Sequence, residues 1–517
     1  MTKVYDFFKI LFPADSTSRN FNHSANNTPL YFIKSFWCRW SKKAIRFFLN
    51  ATDCFSVLSQ SIFASTIINM NLVSRRLGAF VAILTFLFWQ MVNLMTDKSP
   101  LYGGELFAAK SVGWQSFWTW TDYDGYDRFS PFGALLIAVF DIRIIRPVVE
   151  PDAVIENLKS AEFLIHPMIM LFALISYLVF RFLKYLGASE LSAFTGALFV
   201  GVHKGFDYYL GYVALVSMAL LMIATVLNFY SFLRYLDTLK RRYLISYIVT
   251  MLWSIGLWEQ WIALPLVLVT FSLAAYISIR VRGSWDKSIL ARWGTVFPAG
   301  MLSGYLILRS RRMTETSQVS EAEWITNYPS IWLMIEEVLV NATHRLGSTF
   351  ESLFFPHPML SAAIMGNHVP DQINEYNSSY TVTSSYHYFT IADWYVGWIS
   401  GIVLTGLVLW ARYVYKNGSQ QELRASVVGF AFLFFGFIQH LPIKYRSYFT
   451  MPGYVSLLDY KQALSYLGAA ILISTMITSW MNRSKNNSRK ITIMVCLLAT
   501  WLTLNNFSKV MISAWVA

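Results

Sequence analysis

Arg75-Arg76 stand directly before LGAFVAILTFLFWQMVNLM (77–95), a run with no charged residue. Coiled as an α-helix, such a run is long enough to cross the hydrocarbon core, which takes about 20 mainly apolar residues. Lys and Arg favour the cytoplasmic side of a membrane segment, so the pair also sets its direction and places the preceding chain inside. Backbone polar groups find no water in a bilayer, and only helices or closed barrels satisfy them internally. Further apolar runs of helical length follow, and the class that emerges is an all-α polytopic membrane protein.

Composition agrees. The chain has 517 residues, of which 55% are apolar, 17% aromatic and only 14% charged, with a mean hydropathy of +0.43. Its net charge of +13 does not point to nucleic acid, because the Lys and Arg residues fall mostly in short clusters between apolar runs, the pattern of cytoplasmic loops. Cys38, Cys54 and Cys496 imply no disulfide framework. Asn341-Ala-Thr and Asn377-Ser-Ser match the glycosylation tripeptide, which arises often by chance and does not separate a bacterium from the endoplasmic reticulum.

Taken in order, residues 1–76 contain no span and read as a cytoplasmic region. Within them the basic and aromatic run from Phe32 to Arg46 suits a helix lying in the interface. Hydropathy predicts about eleven transmembrane helices: 77–95, 163–183, 191–202, 210–233, 244–257, 262–279, 294–308, 394–413, 427–438, 460–480 and 491–504. Even-numbered spans end in basic clusters, so the alternation is self-consistent. Residues 77–480 form the expected core, with outer loops at 96–162 and 309–389, and 481–517 supply the last loop and helix. Segments 132–145 and 151–159 are too short or too polar to span and read as outer-face juxtamembrane helices. No internal repeat is evident, which weakens a transporter built from inverted halves.

The alternation brings five stretches to the outer side: 105–131, 202–209, the turn at Glu259, 309–388 and 439–458. The first reads ELFAAKSVGWQSFWTWTDYDGYDRFSP and mixes acids with aromatic residues. Burial beside aromatic rings and neighbouring acids raises a carboxyl pKa toward that of a useful base. Glu105 and Asp122 are the leading candidates, with Asp124 behind them. Several cations, namely Lys204, Arg309, Arg311, Arg312, Arg345, Lys444 and Arg446, also fall outside, against the positive-inside tendency. Lys and Arg there suit capture of a phosphate. No Walker motif or glycine-rich phosphate loop occurs.

Glu105, then Asp122 and Asp124, then Arg128-Phe129-Ser130-Pro131-Phe132, come in an order that resembles the first outer loop of the GT-C superfamily of membrane glycosyltransferases. His166-Pro167, Glu259 ahead of Leu264-Pro265, and Lys444-Tyr445-Arg446 leading to Pro452 resemble later motifs of the same superfamily. The leading acidic position is Glu rather than the usual Asp, and Trp258-Glu259 replaces a Lys-Glu pair. The resemblance implies a GT-C-like fold and an inverting transferase. Its donor is a polyprenyl-phosphate-linked sugar, and its acceptor a hydroxyl on a glycan, glycolipid or protein. It further implies Arg446, Lys444 and Lys204 at the donor phosphate, Glu259, Trp120 and His203 at the substrate, and a possible divalent cation, Mg or Mn, bridging carboxylates. The expected setting is the bacterial inner membrane with the site facing the periplasm, or alternatively the endoplasmic reticulum. A transporter or flippase is the rival class and would require charge deep within the spans.

Overall fold

The computed structural model describes residues 72–96, 165–206, 216–257, 259–278, 285–315, 331–354, 391–438, 462–484 and 488–516. All of them belong to one unit, Asn71–Ala517. The described part is helical, with no strand among the described residues. Twelve α-helices of more than one turn are labelled α1–α12 in chain order.

The first is α1 (Leu72–Thr96), which takes in Arg75 and Arg76. It packs on α2 (Ile165–Tyr185), where the hydroxyls of Thr85 and Ser176 lie 3.0 Å apart and Gln90 Nε2 lies 2.9 Å from His166 Nδ1. Next comes α3 (Glu190–Gly201), capped by Ser189, whose side chain accepts from the Ser192 backbone N–H at 3.2 Å. Its 12 residues rise only about 18 Å, short of the roughly 30 Å hydrocarbon core. Every residue from Ser192 to Gly201 is buried, so this third predicted span is an enclosed half-length helix. Trp89 of α1, fully buried, donates its indole N–H to the Gly201 carbonyl at 2.7 Å and so closes the end of α3. Trp89→Phe removes that bond and should lower stability by about 1–2 kcal/mol, read as a lower thermal unfolding midpoint in detergent.

A pair follows, α4 (Val216–Thr238) and α5 (Arg241–Ile255), joined across their faces by polar contacts. Asn228 Nδ2 donates to the Tyr247 carbonyl at 2.8 Å, and the hydroxyls of Ser231 and Ser246 lie 2.9 Å apart. The 3-10 turn Glu259–Ile262 leads into α6 (Ala263–Ile277). Residues 287–315 then form one helical run. It contains a π-helical segment, Leu290–Val296, followed by α7 (Phe297–Glu315). Tyr247 donates its hydroxyl to the Trp293 carbonyl at 2.6 Å within the π segment.

A helix the sequence reading did not foresee, α8 (Ile331–Phe350), lies inside the expected outer loop 309–389 and packs along α9 (Ile391–Asn417). A short turn links α9 to α10 (Gln420–Ile438), and a reciprocal cap sets its angle. Ser419 Oγ accepts from Glu422 N at 3.2 Å while Glu422 Oε2 accepts from Ser419 N at 2.7 Å. The broadest helix contact joins α10 to α11 (Ala463–Arg483), and α12 (Ser488–Val516) closes against α1 and α3.

Among the described residues six helices are long and apolar enough to cross a membrane: Val73–Met95, Ile165–Tyr185, Val216–Thr238, Gly397–Asn417, Ala463–Arg483 and Lys490–Ser508. They fit a multi-pass integral membrane protein. The remaining predicted spans are helical but shorter, as in α5 and α6 at 15 residues each, or charged near one end, as in α10 with Glu422 and Arg424. Exposed Trp398, Ile402, Val408 and Leu409 on α9 are the side chains that bilayer lipid would cover.

The ends of α2, α4 and α10 meet at one polar knot around Asp237. Tyr185 donates its hydroxyl to Asp237, Trp285 donates its indole N–H to it at 3.0 Å, and Arg424 pairs with it at 3.5 Å. The Arg424 guanidinium also lies 4.8 Å from the Trp285 ring centroid. Arg483 donates to the Asn417 carbonyl at the neighbouring helix ends, so one end of the bundle collects the basic clusters.

Candidate functional site

Near the start of α11, at the end opposite Arg483, four elements far apart in sequence converge on a buried polar cluster. The first is a 3-10 turn, Lys204–Phe206, that follows α3. Lys204 Nζ lies 2.6 Å from Glu351 Oε2, with side chains only 10% and 4% exposed. Two charges so withdrawn from water persist only when paired and hydrogen-bonded, which makes this contact the organising one of the cluster.

Glu351 opens a second 3-10 turn, Glu351–Leu353, directly after α8. This turn is held from outside by α12. Asn505 Nδ2 donates to the Ser352 carbonyl at 2.8 Å and to that of Phe354, while the Trp501 indole donates to the Leu353 carbonyl at 3.2 Å. Asn506, the next residue on α12, reaches the other partner. Its Oδ1 accepts from the Lys204 backbone N–H at 3.3 Å, and its Nδ2 donates to the Leu502 carbonyl at 2.8 Å, which fixes the amide's orientation.

His203 stacks on Tyr466 of α11 with ring centroids 3.6 Å apart. Its Nδ1 accepts from the Gly205 backbone N–H at 3.1 Å, so a neutral ring carries its proton on Nε2. Only glycine lets this turn approach so closely, because a Cβ at position 205 would lie 2.6 Å from the Tyr466 hydroxyl oxygen. Beside them Arg345, fully buried near the end of α8, meets Gln462 just before α11. With the amide turned to satisfy both ends, Gln462 Oε1 accepts from Arg345 Nη1 at 2.7 Å and Nε2 donates to the Arg345 carbonyl at 3.1 Å.

The structure therefore brings together two of the expected site residues, His203 and Lys204, with Arg345, one of the cations expected on the outer side. Glu259 begins the 3-10 turn before α6. Glu105, Trp120, Asp122, Asp124, Lys444 and Arg446 lie outside the described residues, as do the expected juxtamembrane helices and most of both long loops. Among the described residues no three His, Cys, Asp or Glu side chains gather as a metal site.

Sequence reasoning missed Glu351, Gln462, Tyr466, Asn505 and Asn506. One signal was available, since consecutive asparagines inside the apolar run of α12 are costly in a bilayer unless they are hydrogen-bonded. Chemically the cluster is a cation-bearing, water-poor site: Lys204, paired with Glu351, and Arg345, bonded to Gln462, are both buried in it. Comparison of the chain with protein-family models and with curated proteins finds no match to either.

Proposed function

We propose that the chain is a membrane glycosyltransferase of the GT-C kind. It moves a sugar from a polyprenyl-phosphate donor to a hydroxyl of a cell-surface glycan, glycolipid or protein. The reaction runs on the side away from the basic clusters, which in a bacterial inner membrane is the periplasmic face and in the endoplasmic reticulum the lumen. What supports this reading is that Lys204 and Arg345, cations expected on that side from the alternation of spans, are buried together rather than solvated. Burying cations there costs stability, and capture of an anionic lipid-linked phosphate gives that cost a use.

In the proposed reaction an acceptor hydroxyl attacks the anomeric carbon as the bond from that carbon to the phosphate oxygen breaks. The polyprenyl phosphate leaves with the bonding electrons, and the hydroxyl proton passes to Glu105 or Asp122, with Asp124 as the third candidate. Arg446, Lys444 and Lys204 hold the departing phosphate, while Trp120, Glu259 and His203 contact substrate. If a divalent cation, Mg or Mn, takes part, Asp122 and Asp124 are the carboxylates that would hold it, and it would supply positive charge for the departing phosphate.

The purified protein should transfer sugar from a polyprenyl-phosphate sugar. Loss of the true base, by Glu105→Gln or Asp122→Asn, should cut kcat by about 10²- to 10⁴-fold, and Arg446→Ala should weaken donor use. Full turnover in all three properly inserted variants sinks the assigned site. Movement of a lipid-linked solute across the membrane without any glycosidic product identifies a transporter instead.

A further inference from the structure

Lys204 and Glu351 are set at their 2.6 Å separation by neighbouring residues of one helix. Asn506 of α12 anchors the backbone of Lys204, and Asn505 anchors the turn that carries Glu351. Trp501, one turn earlier on the same helix, holds the Leu353 carbonyl. A lysine side chain is a flexible stem ending in a compact charge and does not orient itself. Here its backbone and its counter-charge are both tied to α12, so the direction of the ammonium is fixed before any ligand arrives.

We infer that Glu351 is a positioning residue for the donor phosphate: it aims the Lys204 ammonium, and α12, through Asn505 and Asn506, acts as the splint that sets the aim. The inference rests on the glycosyltransferase reading above and adds to it a residue that touches neither sugar nor phosphate. An ammonium can donate in three directions, and the 2.6 Å contact with Glu351 sets one of them. Glu351 also supplies the counter-charge that a buried ammonium needs. Preorganised charge of this kind reaches a phosphate without the reorganisation that a mobile lysine requires.

The full chain in lipid nanodiscs, a polyprenyl monophosphate as binding probe, and a polyprenyl-phosphate sugar as substrate test this. Glu351→Gln keeps an acceptor of the same shape for Lys204 but removes the charge. A charge-assisted hydrogen bond is worth about 1.5–3 kcal/mol, so donor KM and probe Kd should rise about 10- to 100-fold while kcat at saturating donor holds. Glu351→Asp should recover part of the loss, which a role confined to folding does not predict. The exchange pair Lys204→Glu with Glu351→Lys keeps both charges but moves the ammonium to the other turn. It should fold and still bind the probe poorly, and it gives the answer where Glu351→Gln fails to fold. Probe affinity and donor KM equal to wild type in either variant overturn the inference alone. A wild-type chain that neither binds the probe nor transfers sugar overturns the glycosyltransferase reading and the inference with it.

Discussion

Lys204→Met should lower the stability of the folded protein by about 3–5 kcal/mol, the usual cost of removing one partner of a buried ion pair. The carboxylate of Glu351, 4% exposed on its side chain, would stay inside with its nearest counter-charge gone. Methionine matches the stem of lysine closely enough that lost packing is a small part of the effect. The double variant Lys204→Met with Glu351→Met removes both charges and should return to within about 1 kcal/mol of wild type or exceed it, as apolar replacements of buried pairs do. Unfolding in detergent, with proteolysis of the 331–354 segment as a local readout, measures both. A single variant as stable as wild type would mean that the pair is not buried as described. The double variant should be folded yet inactive in transfer, because it keeps the scaffold and loses the ammonium, and that combination separates what the pair does for stability from what Lys204 does for phosphate.

The parts of this fold legible in the sequence are those set by uninterrupted apolar length. The runs that became α1, α2, α4, α9, α11 and α12 each hold enough apolar residues to cross a bilayer, and hydropathy finds them. Hydropathy does not distinguish a helix facing lipid from one enclosed by protein, so α3, buried on all sides, reads as a span of its own. The helix α8 was hidden for the opposite reason. Glu336, Glu337, His344 and Arg345 interrupt its hydropathy, although Ile331, Ile335 and Leu339 recur at helical spacing and are all exposed.

The site divides along similar lines. Lys204 and Arg345 stand out because a cation on the outer side violates a rule that concerns single residues. Their partners do not stand out, because partnership is a property of the folded chain. Glu351 is 147 positions from Lys204 and Asn506 is 302 positions from it. A carboxylate in a predicted loop and an amide just past the last predicted span do not reveal that they share a partner until the bundle brings them together.

Gly468→Leu should be the most damaging substitution in the bundle away from the charged pair, costing about 3 kcal/mol or more. A Cβ at position 468 would sit 2.3 Å from the Leu433 backbone nitrogen and 2.7 Å from the Gly429 carbonyl oxygen, so it meets main chain that cannot turn aside. Membrane helices gain little from apolar burial against one another, and their association rests on close packing of small residues. The contact between α10 and α11 is the broadest in the described fold. Forcing these axes apart gives up dispersion contacts along its whole length. The damage should also reach the site, because Gln462 and Tyr466 lie within two turns of Gly468 and make the contacts to Arg345 and His203. The variant should therefore lose donor binding together with thermal stability. Gly401→Leu on α9 is the matched control, since nothing lies within 4 Å of its Cβ position, and it should stay within about 0.5 kcal/mol of wild type. Equal stability of the two leucine variants would remove the α10–α11 crossing from its central place, whereas a loss confined to Gly468→Leu ties the seating of Gln462 and Tyr466 to how closely two backbones approach.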